Sequence, residues 1–450
     1  MQVIVQANET ALKILKNFKK TDTQNRMLHY CVAESVEEGV LLFNLMTREM
    51  VLLSQEEYDG RLENAYLKDR WFVVPENTNE KAYVDFIRSF LKRQEKNDGT
   101  ITGYTIFTTT DCNARCFYCF ELGRSRIPMS QETALKVVQY IKNHCGGKKV
   151  TLGWFGGEPL YNDSVIDVIC DGLRREGIEY KSHMVSNGYL FDEAVIKRAT
   201  ESWNLQRVQI TLDGTEKVYN KIKAYIYKNV NPYQTVMDNI EKLLDAQIYV
   251  SIRLNMDLSN AEDLVELVEE LAQRFGGRKN LSVYAHHLFK EGETLANSYS
   301  AEEWIEREMA MSRLEEKIKQ GSLEAKAGIN NNIKLNHCMA DSGRHVTILP
   351  DGSLGLCEHH TENEFIGHID REDLDANVIA SWKERVDQIP ECTECFDYPQ
   401  CIMLRKCSSN NVCYLQYRQR RKRNTGRHMI NKFKQWKKQQ EEETTEEQFC

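Results

Sequence analysis

From about residue 100 to about residue 297, apolar runs of strand length alternate with stretches of helical periodicity, and no other feature of the chain limits its fold as much. The runs end at Thr108, Phe155, Val185, Leu212, Leu254 and about Ala285. After the first of them, Ala134, Val137, Val138 and Ile141 fall at i, i+3, i+4 and i+7 of a helix predicted over 130–145. Ser130, Asp192 and Ser259 stand where N-caps belong, and Pro232 suits a first helical turn. Six strand-helix units predict an α/β fold whose parallel sheet curves into a partial (β/α)6 barrel. In such a sheet, chemistry gathers on the loops that follow the C-terminal ends of the strands.

The first of these loops, residues 108–123, reads TTTDCNARCFYCFELG and spaces Cys112, Cys116 and Cys119 as C-x3-C-x2-C. Three thiolates can hold three corners of a 4Fe-4S cluster, one fewer than a closed cluster takes. The iron left open can ligate and activate a small molecule, as in catalytic metal sites that keep one position free. A zinc knuckle is the alternative reading of the thiols alone. The second loop reads WFGGEP over 154–159. Gly156 and Gly157 allow close backbone approach to a ligand, and Glu158 offers a carboxylate to a cation. A tight turn with a solvated Glu fits the same letters. The third strand ends in Ser186, Asn187 and Gly188, and the fourth in Asp213 and Gly214. On the fifth, Arg253 and Asn255 share one face, so both can point into the barrel. His286 and His287 close the sixth, as substrate-side groups or as a plain polar rim.

The cysteine loop resembles that of the radical S-adenosylmethionine (SAM) enzymes, with Tyr118 as the aromatic residue before the last cysteine. The resemblance implies a TIM-like barrel in which the open iron chelates the amino and carboxylate groups of SAM. One-electron reduction then splits the sulfonium to a 5'-deoxyadenosyl radical. It implies that Gly156, Gly157 and Glu158 bind the SAM amino group, that Ser186 and Asn187 contact its ribose and carboxylate, and that Arg253 pairs with the carboxylate, a structural ion pair being the other reading of Arg253.

With 450 residues and a net charge of -8, the chain has room for two or three domains and gives no global reason to expect nucleic acid. It has no uninterrupted run of 18 apolar residues and a polar N-terminal stretch, which leads us to expect a soluble, cytoplasmic protein without a membrane partner. Fourteen cysteines in a long chain of that kind point to metal when they cluster, and ten of them do.

Seven of those ten form a second thiol region. Cys338 is followed by thirteen residues, Gly352, four residues and Cys357; then come Cys392, Cys395, Cys401, Cys407 and Cys413. This pattern resembles the SPASM domain, a twin-cluster extension of radical SAM enzymes, except that five residues rather than three separate Cys401 from Cys407. The family's ligand order implies one auxiliary 4Fe-4S cluster on Cys392, Cys395, Cys401 and Cys413, and another on Cys338, Cys357 and Cys407 with an open iron for a substrate thiol. A two-zinc ribbon is the alternative. With the SAM-binding cluster, the expected complement is three 4Fe-4S clusters.

Residues 1–95 read as a small module. Apolar runs at 28–32, 40–43 and 51–53 predict strands, with a helix from Ser54, a strand at 71–74 and a helix over 79–95. The stretch resembles the winged-helix-like element with which peptide-modifying radical SAM enzymes pair a leader peptide against a strand edge; a packing cap for the barrel is the alternative. The expected domains are thus 1–95, the barrel over 100–297, a helical bridge over 298–335, the SPASM region over 336–415 and a charged helix and tail over 416–450. That last segment reads as solvated, with its basic face available to an acidic peptide and Cys450 unligated.

Together these resemblances imply a peptide maturase acting on a ribosomally synthesised, Cys-containing precursor with a leader. It would form a thioether and take electrons from a donor such as flavodoxin or ferredoxin. Carbon-carbon crosslinking, epimerisation, a sulfatase-type formylglycine maturase and a non-enzymatic, zinc-stabilised peptide-binding protein are the alternatives.

Overall fold

The computed structural model describes residues 1–18, 24–95, 98–288, 299–325, 328–359, 364–407 and 413–447, with side chains to residue 442. Cys450 lies outside them. The chain opens with β1 (Gln2–Val5), α1 (Glu9–Lys16), β2 (Asn25–Met27), β3 (Cys31–Val36), β4 (Gly39–Asn44), β5 (Glu49–Leu53), α2 (Gln55–Asp59), α3 (Ala65–Asp69), β6 (Val73–Pro75) and α4 (Glu80–Gln94). β1, β5, β4 and β3 form an antiparallel sheet in that order, and β2 pairs with β6. The single strand predicted at 28–32 is thus interrupted between β2 and β3. α2 starts where its capping box requires, with Ser54 accepting from the Glu57 N–H and Glu57 accepting from the Ser54 N–H.

Next come β7 (Gly103–Thr109), α5 (Gln131–His144), β8 (Val150–Gly156), α6 (Ser164–Arg175), β9 (Tyr180–Ser186), α7 (Glu193–Glu201), β10 (Leu205–Leu212), α8 (Glu216–Lys223), α9 (Pro232–Asp245), β11 (Tyr249–Met256), α10 (Ala261–Phe275), β12 (Leu281–His287) and α11 (Ala301–Gln320). Strands β7 to β12 pair side by side and in parallel, in sequence order. Their ends fall within two residues of those expected. Ser130 and Asp192 cap their helices through their side chains, and Pro232 takes a first-turn position. Ser259 does not cap α10: the N-cap residue is Asn260, whose side chain is drawn inward to the carbonyls of Asp213 and Asn255.

The chain finishes with β13 (His345–Ile348), β14 (Ser353–Gly355), β15 (Gly367–His368), α12 (Ala376–Ser381) and α13 (Leu415–Glu447). β13 runs parallel to β7 along Gly103 to Ile106, so the first part of the second thiol region extends the barrel sheet itself. α13 is not a solvated tail. Met429 and Phe433, one turn apart, are buried in a core shared with Tyr30, Phe43 and Trp71 of the N-terminal sheet and with Tyr398. Its basic residues find internal acids: Arg420 bonds Glu308 and Glu315, Arg421 bonds Asp397, Arg427 bonds Glu316 and Lys437 bonds Glu38. These four cations are therefore engaged within the chain and are not held out to an acidic peptide.

The buried member of this set is Glu308, 1 % exposed at its side chain. Its Oε2 lies 2.5 Å from Arg420 Nε and its Oε1 3.1 Å from His287 Nε2. Burial pushes this carboxyl up, but the His287 hydrogen bond and Arg420 outweigh it and hold the group below its ordinary value. A depressed carboxylate contributes stability above its unfolded-state value, and that contribution is lost as pH falls through the lower folded value. Glu308→Ala leaves Arg420 and His287 without it and is expected to cost about 3 kcal/mol in chemical unfolding at neutral pH, with a smaller cost below pH ~4. A change under about 0.5 kcal/mol, the scale of an ordinary surface substitution, would contradict the role.

Candidate active site at the mouth of the barrel

The loops at the C-terminal ends of β7 and β8 are sewn together by their backbones, and the loop after β9 joins them through the Glu158 side chain. The Gly157 N–H donates to the Thr109 carbonyl at 3.0 Å and the Glu158 N–H to the Asp111 carbonyl at 2.9 Å. A Cβ on Gly156, whose φ is +126°, would lie 2.1 Å from the Thr109 oxygen, and one on Gly157 would lie 2.2 Å from that of Asp111. The glycines are therefore needed to bring Glu158 against the cysteine loop. Glu158 is fully buried. Its Oε1 accepts from the Ser186 hydroxyl at 2.9 Å and the Leu160 N–H at 3.2 Å, and its Oε2 accepts from the Asn187 N–H at 2.8 Å. Burial raises its pKa to about 7 despite these donors.

Asn187 links this carboxylate to the thiols. Its Nδ2 donates to Asn113 Oδ1 at 2.6 Å and lies 3.8 Å from Cys112 Sγ. Cys112 also receives the Ala114 N–H at 3.3 Å. Burial pushes the Cys112 thiol up to about 12, with Glu158, Cys116 and Cys119 adding to the effect. The three thiols of the motif thus sit within electrostatic reach of one another.

A second group of side chains lies behind the loop. The Tyr118 hydroxyl donates to the Asp213 carboxylate, 2.9 Å from each oxygen, and Asn255 Nδ2 donates to Asp213 Oδ1 at 2.9 Å. Lys223 Nζ is 3.0 Å from Asp213 Oδ2, 3.0 Å from the Tyr118 hydroxyl and 2.7 Å from Thr211 Oγ1. Sequence reasoning missed Lys223 and Asn113. Asn113 is one of the unspecified positions of the cysteine motif, and Lys223 ends a charged helix that looks solvated on paper. Arg253 stands further along the wall, its Nη2 3.2 Å from His286 Nδ1. Burial holds down the pKa of His359, with Arg253 adding to the effect. His287 belongs neither to a rim nor to a substrate face: it is 2 % exposed and packs edge-on against Trp304 beside Glu308.

The seven later thiols fall into two sets. Cys338, Cys357 and Cys407 interact electrostatically, as do Cys395, Cys401 and Cys413, with Cys392 beside Cys413. Cys338 and Cys357 each accept a backbone N–H from two residues on, Ala340 and His359, both at 3.4 Å, repeating the Cys112 geometry. N–H donors to sulfur are what a cluster-bound thiolate needs around it. The loop of Cys357 meets the first cysteine loop, with the His359 and Phe120 rings 4.5 Å apart. On the other side, α4 is docked on the second set: Arg88 donates to the carbonyls of Tyr398 at 2.8 Å and Cys401 at 3.3 Å, and Tyr398 donates to Asp85 at 2.7 Å.

This donor set fits a 4Fe-4S cluster with SAM. Cys112, Cys116 and Cys119 share one loop beside the buried Glu158 carboxylate, which makes no ion pair within 4 Å among the described residues, as a ligand ammonium group requires; among those residues no three His, Cys, Asp or Glu side chains already converge as ligands of a single metal ion. Asn113 Nδ2 is buried without a hydrogen-bond partner among the described residues and supplies a donor for the same ligand.

Residues 106–271 match the radical SAM superfamily. Among characterised proteins the chain is similar to the GTP 3',8-cyclase of Clostridium perfringens (strain 13 / Type A), 25% identical over 266 residues, 56% of this chain and 79% of that protein. It is also similar to the sporulation killing factor maturation protein SkfB of Bacillus subtilis (strain 168), 24% identical over 185 residues, 40% of this chain and 42% of that protein. Among solved structures, native anSMEcpe with bound AdoMet and Cp18Cys peptide superposes with a TM-score of 0.54 at 14% identity, covering 73% of this chain and 98% of that one. That likeness is one of fold. Among the described residues no helix is long and apolar enough to cross a membrane.

Proposed function

We propose that this radical SAM enzyme is a peptide maturase: it takes hydrogen from an unactivated carbon of a ribosomally made precursor and joins that carbon to a cysteine sulfur of the same peptide. Cys112, Cys116 and Cys119 would hold the SAM-binding cluster, with Tyr118, Gly156, Gly157, Glu158, Ser186, Asn187 and Arg253 around the SAM. Cys392, Cys395, Cys401 and Cys413 would hold one auxiliary cluster; Cys338, Cys357 and Cys407 would hold the other. When bound and reduced, the first cluster supplies the electron that splits SAM into methionine and a 5'-deoxyadenosyl radical.

The observation that carries the reading is that two thiol sets, each of three and each one short of a closed cluster, have loops that meet at Phe120 and His359. One set would suit SAM and the other a peptide thiol. Glu158, dry and with its pKa raised to about 7, would ionise against an ammonium group bound there, and the Ser186 hydroxyl and Asn187 N–H keep its carboxylate from turning away. Holding the peptide sulfur beside the attacked carbon supplies the selectivity that an adenosyl radical lacks. The peptide gives up one hydrogen atom to the nucleoside, one thiol proton and one electron, and leaves two hydrogens lighter. Residues 1–95 would bind the leader by pairing at a strand edge, and their docking through Arg88 on the Cys401 loop joins recognition to the auxiliary region.

The test is iron and sulfide analysis of anaerobically reconstituted protein, then mass spectrometry of a cysteine-containing precursor peptide after SAM and reductant are added. About twelve irons and a peptide two hydrogens lighter, with one thiol lost to alkylation, is the expected result. Zinc in place of iron would overturn the enzyme reading, and a peptide of unchanged mass would replace thioether formation with epimerisation.

A further inference from the structure

On β10 and β11, Val208, Ile210, Val250 and Ile252 are fully buried in the core beneath the helices, so the residues between and before them, Arg207, Gln209, Tyr249 and Ser251, line the inner wall of the barrel. A closed barrel of eight strands fills such positions with bulky apolar side chains. Here the inner wall carries Lys181, His183, Arg207, Gln209, Arg253 and Tyr284, and none of these six is fully buried. The strands therefore enclose a polar chamber that solvent reaches.

Arg207 stands in that wall with its head group fixed. Its Nη2 donates to Ser251 Oγ at 2.9 Å, Ser251 Oγ lies 3.3 Å from Ser282 Oγ, and the guanidinium carbon is 5.5 Å from the centre of the Tyr249 ring. The Ser251 hydroxyl is neutral and takes up one of five guanidinium N–H donors. No carboxylate comes within 4 Å of Arg207 among the described residues. Lys181, two residues before the strand partner of Arg207, His183, makes no ion pair within 4 Å among them either. The acid that acts on His183 is Glu358, and its Oε2 stands 3.7 Å from Cys357 Sγ, on the thiol side. A guanidinium held by a neutral hydroxyl in a chamber wall presents its remaining donors in the fork that a carboxylate fits.

We propose that Arg207, helped by Lys181, anchors an acidic side chain of the substrate peptide, a Glu or Asp carboxylate. This rests on the peptide reading above and adds the chemistry of the peptide to it. Arg207 lies four residues before Thr211, which touches Lys223 behind the cysteine loop, and so about 13 Å along the strand from it. The anchored residue is therefore not the one attacked, and its role is to fix the register of the peptide. The net charge of -8 repels an acidic peptide at long range, so a preference for acid has to arise at a local site.

The experiment is fluorescence anisotropy of the anaerobically reconstituted full chain with three short labelled peptides. In each, glycine alternates with one other residue type on both sides of a single cysteine, and that residue is Glu, Gln or Lys. The wild type is expected to bind the Glu peptide about tenfold more tightly than the Gln peptide, the scale of a hydrogen-bonded charge. Arg207→Met is expected to abolish that advantage without weakening the Gln peptide, Arg207→Lys to keep most of it, Lys181→Met to reduce it, and Arg207→Glu to favour the Lys peptide. A Glu preference that survives both Arg207→Met and Arg207→Glu overturns the proposal, as does wild-type binding of the three peptides with equal affinity, which leaves the peptide reading standing. If none of the three binds, the peptide reading falls and this proposal with it.

Discussion

Alanine in place of any one of Cys112, Cys116 or Cys119 is expected to reduce 5'-deoxyadenosine formation to background, with the protein still folded. Three thiolates are the minimum that fixes a cubane while leaving one iron for SAM, so removing one takes away both the anchor and the defined open corner. The loss is not shared out among the other ligands of SAM. Glu158 and Asn187 would bind groups of the cofactor, but neither supplies the electron that splits it. The fold does not depend on these thiols: Phe107 and Trp154 are fully buried in the strands before the two loops, and the Gly157 and Glu158 backbone bonds run to carbonyls. The check is 5'-deoxyadenosine by chromatography after SAM and dithionite, alongside circular dichroism and iron content. Cleavage above a few per cent of wild type in Cys116→Ala would contradict the assignment.

How much of this was legible in the sequence follows from what each residue depends on. The six barrel strands could be read because their periodicity and the helices between them are local, and their ends came within two residues of those found. The GGEP loop could be read because its letters follow a predicted strand end and resemble a known SAM-binding loop, although the crowding that demands Gly156 and Gly157 comes from Thr109 and Asp111 on another strand's loop. Lys223 could not be read. Its role arises when α8 folds back on the cysteine loop, more than a hundred residues earlier, and the stretch EKVYNKIK has the charge pattern of any solvated helix. Asn113, sitting between two motif positions, carried no signal of its own.

The second thiol region shows the same division. β13 and β14 form a hairpin across Pro350, Asp351 and Gly352, where only the cysteine spacing had been read from the sequence. No local feature says that β13 then joins the barrel at β7. The basic run of α13 misled for a related reason: its acids lie in α11, in β3–β4 and beside Cys395, so its neutralisation appears only in the folded chain. His286 and His287 looked alike and part company, since β12 turns one toward Arg253 and the other toward Glu308 in the core.

The two thiol sets should separate by mutation. A Cys357→Ala, Cys407→Ala double variant is expected to keep SAM cleavage and lose the thioether, with iron falling from about twelve to about eight per chain. Cys357 and Cys407 interact with each other and with Cys338, and the Cys357 loop meets the SAM-side loop at the Phe120–His359 ring contact, which neither substitution removes. SAM therefore keeps its anchor and its carboxylate, while the peptide sulfur loses the iron that would hold it next to the attacked carbon and take up the surplus electron. Nucleoside should still form, with the peptide returned at unchanged mass and all its thiols open to alkylation. Full crosslinking by the double variant would remove the auxiliary set from bond formation. Loss of nucleoside together with the crosslink would show instead that the Cys357 loop supports the SAM site through Phe120, and a Phe120→Leu variant with intact auxiliary cysteines would then show the same loss.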